Sequence, residues 1–161
     1  MTVISPSLLK KGFELNTNII KRQTNGINHE ESLLQFPFRG NCMNWVIGHI
    51  LIRRCTVMEL LDLEPVLTAD ERVRYATGSE PIVEDGEGVI ALERLLELLE
   101  DATAKISEGF DTVSDEKWNA MHDDDYTVAE TIFGLYFHDT YHTGQPEFHR
   151  QLAGKNDRVI G

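Results

Sequence analysis

Three of the chain's six histidines, His138, His142 and His149, fall within the stretch FHDTYHTGQPEFHRQLAGK, residues 137–155. Imidazole is a nitrogen ligand for divalent ions and a proton carrier near neutral pH. His138 and His142 are four residues apart. On a helix that spacing puts their Cβ atoms about 5–6 Å apart on one face. Both rings then reach one ion at metal–nitrogen distances of about 2.0–2.1 Å. Two ligands from one helix rarely suffice, so a third must come from a facing element. His49 is the candidate, set among apolar neighbours in WVIGHILI. An imidazole buried there without a partner costs roughly a few kcal/mol, and Gly48 beside it permits close approach of a neighbouring helix. Three histidines leave coordination positions open, as catalytic rather than closed structural sites do. The competing reading is two unrelated surface imidazoles and a hydrogen-bonded core histidine. Spacing alone leaves the two open.

The remaining candidates fit less well. His149 lies seven residues beyond His142, roughly 10 Å along a continuous helix, and cannot share the ion without a break. Cys42 precedes His49 by the same interval and is not a ligand. His29 and His122 sit in polar segments, where exposure explains them. HDTYH resembles the zincin pattern His-Glu-x-x-His, but Asp139 stands in place of the glutamate and is one methylene shorter. Asp139 is read either as a support behind the ligands or as solvent-facing. Gln145 either hydrogen-bonds a ligand or packs the helix end, and Tyr141 is read as core packing. No general base is evident, and no residue is assigned a catalytic role.

Four helical segments must position these side chains. The first starts at Ser5-Pro6, with serine as cap and proline at a position where its missing N–H costs nothing. Leu8, Gly12, Leu15 and Ile19 follow a helical spacing, with Leu9, Phe13 and Ile20 beside them, and Gly26 lies past the end. ESLLQFPFRGN is a connection with room for a short helical turn. The second helix is expected from Asn41 to about Leu63. It is apolar nearly all round and therefore belongs in a core. Residues 64–85 read as a loop. The third segment, VIALERLLELLEDATAKISEGF, repeats Leu92, Leu95, Leu96, Leu99, Ala102, Ile106 and Phe110 at helical spacing. The fourth opens on the capping box TVAE at Thr127 and runs towards Leu152, with Gly154 at its C-terminal cap. Pro146 removes a hydrogen bond to His142 and clashes with its carbonyl, so a kink or restart is expected there. No stretch alternates with period two for long enough to form a sheet. The expectation is one all-α domain over residues 1–161, a four-helix bundle.

The bulk numbers agree. Lys plus Arg total 15 against 27 acidic residues, a net charge of -12. Such a field disfavours nucleic acid and anionic membrane surfaces. The longest apolar run, WVIGHILI, is too short to span a bilayer. The start, MTVISPSLLKKGF, has no secretory pattern. Cys42 and Cys55 lie in one expected helix, roughly 20 Å apart, and cannot bridge each other. A reducing cytoplasm is the expected location.

Taken together, NWVIGHI in the second helix, the Thr-x-x-Glu start of the fourth, and HDTYHTGQ within it resemble the DinB-like superfamily, which includes the YfiT-type proteins. The resemblance covers most of the chain. It departs at Pro146, where members usually carry an apolar residue. It implies a four-helix bundle with a long crossover between the second and third helices, and frequent homodimers. It also implies a divalent ion, often zinc or nickel, on His49, His138 and His142. Some similar proteins are metal-dependent thiol S-transferases or isomerases that join a low-molecular-weight thiol, such as bacillithiol or mycothiol, to a small electrophile. Others have no established turnover. The expected function is therefore a metal-dependent thiol transfer to a small-molecule substrate. The alternative is a non-catalytic metal-binding or stress-related protein.

Overall fold

Pro6 opens α1, Pro6–Thr24, where its fixed φ suits the first helical turn. Ser5 occupies the cap position, but its hydroxyl bonds Ser7 Oγ at 2.8 Å instead of a backbone amide. In this computed structural model, which describes residues 4–159, the elements that follow are α2 (His29–Ser32), α3 (Met43–Leu60), α4 (Ala69–Val73), α5 (Leu92–Thr112), α6 (Asp115–Asn119), α7 (Val128–Thr143) and α8 (Pro146–Leu152). The fold is all-helical. The only β pairing among the described residues is one isolated bridge, Met121 with Thr127. No helix among them is long and apolar enough to cross a membrane. The first three residues of the segment read for a leader lie outside the described residues.

Four helices are long: α1, α3, α5 and α7. Both α1 and α3 pack on α5 and on α7. The near-uniform apolarity of α3 has its counterpart in burial, with Val46, Ile47, Ile50, Leu51, Val57 and Met58 all sealed. On α5 the inward side is Leu92, Leu95, Leu99, Ala102, Ile106 and Phe110. Leu96, expected in that stripe, is only partly buried, and Leu98, absent from the sequence pattern, is buried instead.

The stripe expected on α1 is rotated. Leu9, Phe13, Asn16, Thr17 and Ile20 face the core, while Leu8 and Leu15 are 70% and 57% exposed. Two polar residues took inward positions because they serve a buried polar network described below. A hydropathy count cannot see such a network.

Other boundaries shift for local reasons. Cys42, not Asn41, is the residue before α3, and α3 ends at Leu60 rather than Leu63. The 64–85 segment contains α4, opened by a Thr68–Glu71 capping box, and buries Tyr75 and Ile82 completely. The turn expected in the first connection lies slightly earlier, as α2, with an Asn28–Glu31 capping box. The capping box at Thr127–Glu130 forms as expected. Pro146 starts a new helix, α8, so the fourth segment is two helices rather than one. Past the end of α8, Gly154 takes φ 77°, the left-handed conformation expected of it.

Candidate metal centre

His49 is buried on α3, and His138 and His142 are half-buried on α7. One nitrogen from each lies within 4.8 Å of the others, the one such cluster of His, Cys or acidic groups among the described residues. Ring centroids are 5.0 Å apart for His49 and His138, 5.1 Å for His49 and His142, and 4.4 Å for His138 and His142.

Hydrogen bonds settle which nitrogens are free. His49 Nδ1 lies 2.9 Å from the Tyr75 carbonyl oxygen, a contact only an N–H can fill. His142 Nδ1 lies 2.7 Å from Gln145 Oε1 and donates likewise. In the neutral rings this leaves both Nε2 atoms as lone-pair donors, and such outer contacts fix tautomer and orientation at metal centres. His138 Nε2 sits 3.2 Å from His49 Nε2. Two ligands in a tetrahedral shell with bonds of about 2.0–2.1 Å stand roughly 3.3 Å apart. The spacing therefore suits two ligands of one ion. His138 Nδ1 is buried without a partner, so nothing in the protein competes to turn that ring away. The residues present fit a divalent ion.

Burial lowers the pKa of His49, and burial with the neighbouring His142 and His49 pushes His138 down to about 4. These rings stay neutral in the folded state at pH values where the unfolded chain, with histidines near 6.5, takes up protons. For the metal-free protein the stability this contributes is complete above about pH 6.5 and is lost as pH falls towards 4. Urea unfolding with a chelator at pH 7.5, 6 and 5 is expected to give a steadily falling midpoint. An unchanged midpoint across that range would contradict the burial argument.

Gly48 admits a close neighbour, though not the helix expected. A methyl group there would overlap the ring of Tyr75, which is fully buried in the connection after α4. The Tyr75 hydroxyl donates to Asn44 Oδ1 at 3.1 Å and accepts the Ile90 amide at 2.7 Å, so the ring has little freedom to yield. Its carbonyl is the one that orients His49. Exchanging glycine for alanine inside a helix ordinarily gains up to about 1 kcal/mol. Gly48→Ala is expected instead to cost about 1–3 kcal/mol through overpacking, and to weaken metal binding. Gly134→Ala, whose added methyl would meet nothing within 4 Å, is expected to show the ordinary gain. Thermal melts of the two variants check the opposite signs.

Asp139 is not solvent-facing, and its carboxylate bonds Arg54 and Asn16 rather than a histidine. It is fully buried and pairs with Arg54, also fully buried: Arg54 Nε to Asp139 Oδ2 is 2.8 Å. Asn16 donates to its other oxygen at 2.8 Å. Arg54 Nη1 reaches Thr17 Oγ1 and Thr103 Oγ1, each at 2.7 Å. The network joins α1, α3, α5 and α7 one residue from His138, and so fixes the rotation of α7. Sequence reasoning missed Arg54. Its one signal was a positive charge in the middle of an apolar helix.

Other expectations separate. Gln145 is the residue that orients His142. Tyr141 is 64% exposed, not core. Its ring stands edge-on to His142 at 5.1 Å. His149 is away from the cluster and buried, with its nitrogens 3.0 Å from the Gln145 carbonyl and 2.8 Å from that of Asn41. It fastens α8 to the connection before α3. His29 is no mere surface residue, since the amide of Leu92, at the start of α5, donates to its Nδ1 at 3.2 Å. His122 is exposed. Cys42 and Cys55 are both buried and free.

A cleft of about 680 Å³ adjoins the cluster; His142 belongs to both, and Trp45 lines the cleft. Trp45 stacks on His49 at 4.6 Å between ring centroids, 11° from parallel.

No protein-family model matches the chain, and no curated protein matches it in sequence. Among solved structures it is similar to the "conserved protein of locus from Enterococcus faecalis", with a TM-score of 0.70 and 15% identity, over 95% of this chain and 98% of that one. At that identity the likeness concerns the fold alone, and it extends over nearly the full length of both chains.

Proposed function

We propose that this chain is a DinB-like four-helix bundle, with residues 61–91 as the crossover, that holds a divalent ion on His49, His138 and His142. We further propose that it uses the ion to join a low-molecular-weight thiol to a small electrophile. The observation that carries the reading is the convergence of three imidazoles, two with tautomers set by Tyr75 and Gln145, beside an open cleft.

A bound zinc or nickel ion in such a site stabilises a thiolate and so supplies a nucleophile at neutral pH. The protein's own groups do the rest. Tyr75 and Gln145 keep the facing nitrogens unprotonated. Trp45 covers His49 and limits water on that side. The cleft provides room for the electrophile. Hydrolysis is not favoured, because Asp139, the carboxylate nearest in sequence, is committed to Arg54 and Asn16 and cannot act as a base.

The test is conjugation of a chromogenic electrophile to bacillithiol, mycothiol or glutathione by zinc- or nickel-loaded protein. Metal-dependent product with at least one thiol is expected. Full metal loading with no product for any thiol would favour the non-catalytic metal-binding alternative.

The same reading carries a homodimer. The outer side of α5 bears the exposed charged residues Glu93, Arg94, Glu97 and Glu100. Exposed apolar side chains lie on α1 and α7 instead: Leu8, Leu15, Phe133 and Phe137. A sedimentation mass of a single chain at micromolar concentration would contradict a dimer through that face.

A further inference from the structure

We infer that the cleft beside His142 takes a small ligand with a flat aromatic body and an anionic group. The inference deepens the proposed metal-centred reading and rests on it for where the ligand reacts. It does not rest on it for where the ligand binds.

Three observations point to that class. The first is size. The cavity of about 680 Å³ lies within the range that holds small organic ligands, roughly 300–1,000 Å³.

The second is the walls. Phe36 and Phe38 stack face to face, 5.0 Å apart and 7° from parallel, and form a flat shelf. Tyr141 and Phe148, from α7 and α8, also line the cavity, as does Trp45 from α3. Phe38, Tyr141 and Phe148 are 67%, 64% and 62% exposed. Large aromatic side chains left this open around one cavity offer stacking faces and edges to a planar guest. His149 holds the shelf in place: its ring packs on Phe36 at 4.7 Å, and its Nε2 lies 2.8 Å from the Asn41 carbonyl.

The third is charge. Arg39 lines the same cavity. It forms no hydrogen bond or ion pair with any other described residue, although the chain carries 27 acidic residues against 15 basic ones. No acidic residue lines the cavity. A guanidinium left free at the edge of an aromatic cleft suits a carboxylate, sulfonate or phosphate on the guest.

Two probes separate this inference from the metal reading. On zinc-loaded protein, acetohydroxamate reports the ion alone, whereas 2-naphthohydroxamate reports ion and cleft together. One-sided burial of the naphthyl ring is expected to tighten binding by about 30-fold or more. In the double variant Phe38→Ala/Phe148→Ala that advantage is expected to fall below about 3-fold, with acetohydroxamate unchanged. Both residues are largely exposed, so the fold tolerates the change. On metal-free protein, 2-naphthoate is expected to bind more tightly than 2-naphthamide. Arg39→Gln is expected to remove the difference and leave the amide's affinity unchanged. Equal affinity of the two hydroxamates on zinc-loaded protein, or a naphthyl advantage that survives the double variant, would overturn the aromatic assignment. Equal binding of naphthoate and naphthamide would overturn the anionic one. Failure of the protein to take up zinc, with naphthoate still bound and still dependent on Arg39, would sink the metal reading and leave the cleft assignment standing.

Discussion

Asp139→Ala is expected to destabilise the protein by about 3–5 kcal/mol, because it leaves the Arg54 guanidinium buried without its counter-ion. Arg54 has no exposed side-chain surface and Asp139 has 1%, so water cannot take over the lost contact. The hydroxyls of Thr17 and Thr103 still accept from Arg54, but they are neutral, and each is already bonded within its own helix, Thr17 to the Phe13 carbonyl and Thr103 to that of Leu99. For a chain of this size each kcal/mol moves the melting temperature by roughly 2–4 °C, so a fall on the order of 10 °C is expected. Arg54→Ala is expected to do similar damage from the other side, stranding the carboxylate and opening a cavity over Phe13, whose ring lies 5.5 Å from the guanidinium carbon. The double variant Arg54→Met/Asp139→Leu is expected to recover much of the loss, since matched apolar residues often replace a buried pair at little cost. Chemical denaturation of the three variants provides the check. If the single and double variants are equally unstable, the network's contribution is packing rather than charge.

The second large effect concerns the ion. His138→Ala or His142→Ala removes one of the three proposed ligands and is expected to lower bound zinc from about one equivalent to below about a tenth. It should also abolish the rise in melting temperature that zinc gives the parent protein, because a ligand stabilises only the state that binds it. His149→Ala is the control. That ring spans two backbone carbonyls between α8 and the connection before α3, so its loss is expected to cost stability while zinc content stays at one equivalent. Elemental analysis with parallel melts distinguishes the two kinds of damage. Equal loss of zinc in all three variants would mean that the histidines were wrongly divided between centre and scaffold.

The grouping of His49, His138 and His142 was partly legible because much of its signal is local. A pair four apart on a capped helix, and an imidazole stranded among apolar neighbours, are visible in one dimension. The break at Pro146 was legible for the same reason, since proline acts on its own backbone. What could not be read depends on partners distant in sequence. Asn16 and Thr17 lie inward on α1 only because Arg54 and Asp139, on two other helices, require them. That reversal turned the expected Leu8 and Leu15 stripe outward. Gln145 and the Tyr75 carbonyl, which set the tautomers of His142 and His49, likewise become apparent only when the connection after α4 and the turn after α7 are folded into place. The resemblance to the DinB-like superfamily suggested the ligands but could not have supplied Arg54, whose role is specified by three other helices.

X-ray absorption at the zinc edge, on zinc-loaded protein purified without a histidine tag, tests the central claim most directly. A shell containing about three imidazole nitrogens at about 2.0–2.1 Å, completed by one or more exchangeable light atoms, is expected. A shell dominated by sulfur or carboxylate, or a protein that retains no stoichiometric zinc at neutral pH, would contradict it.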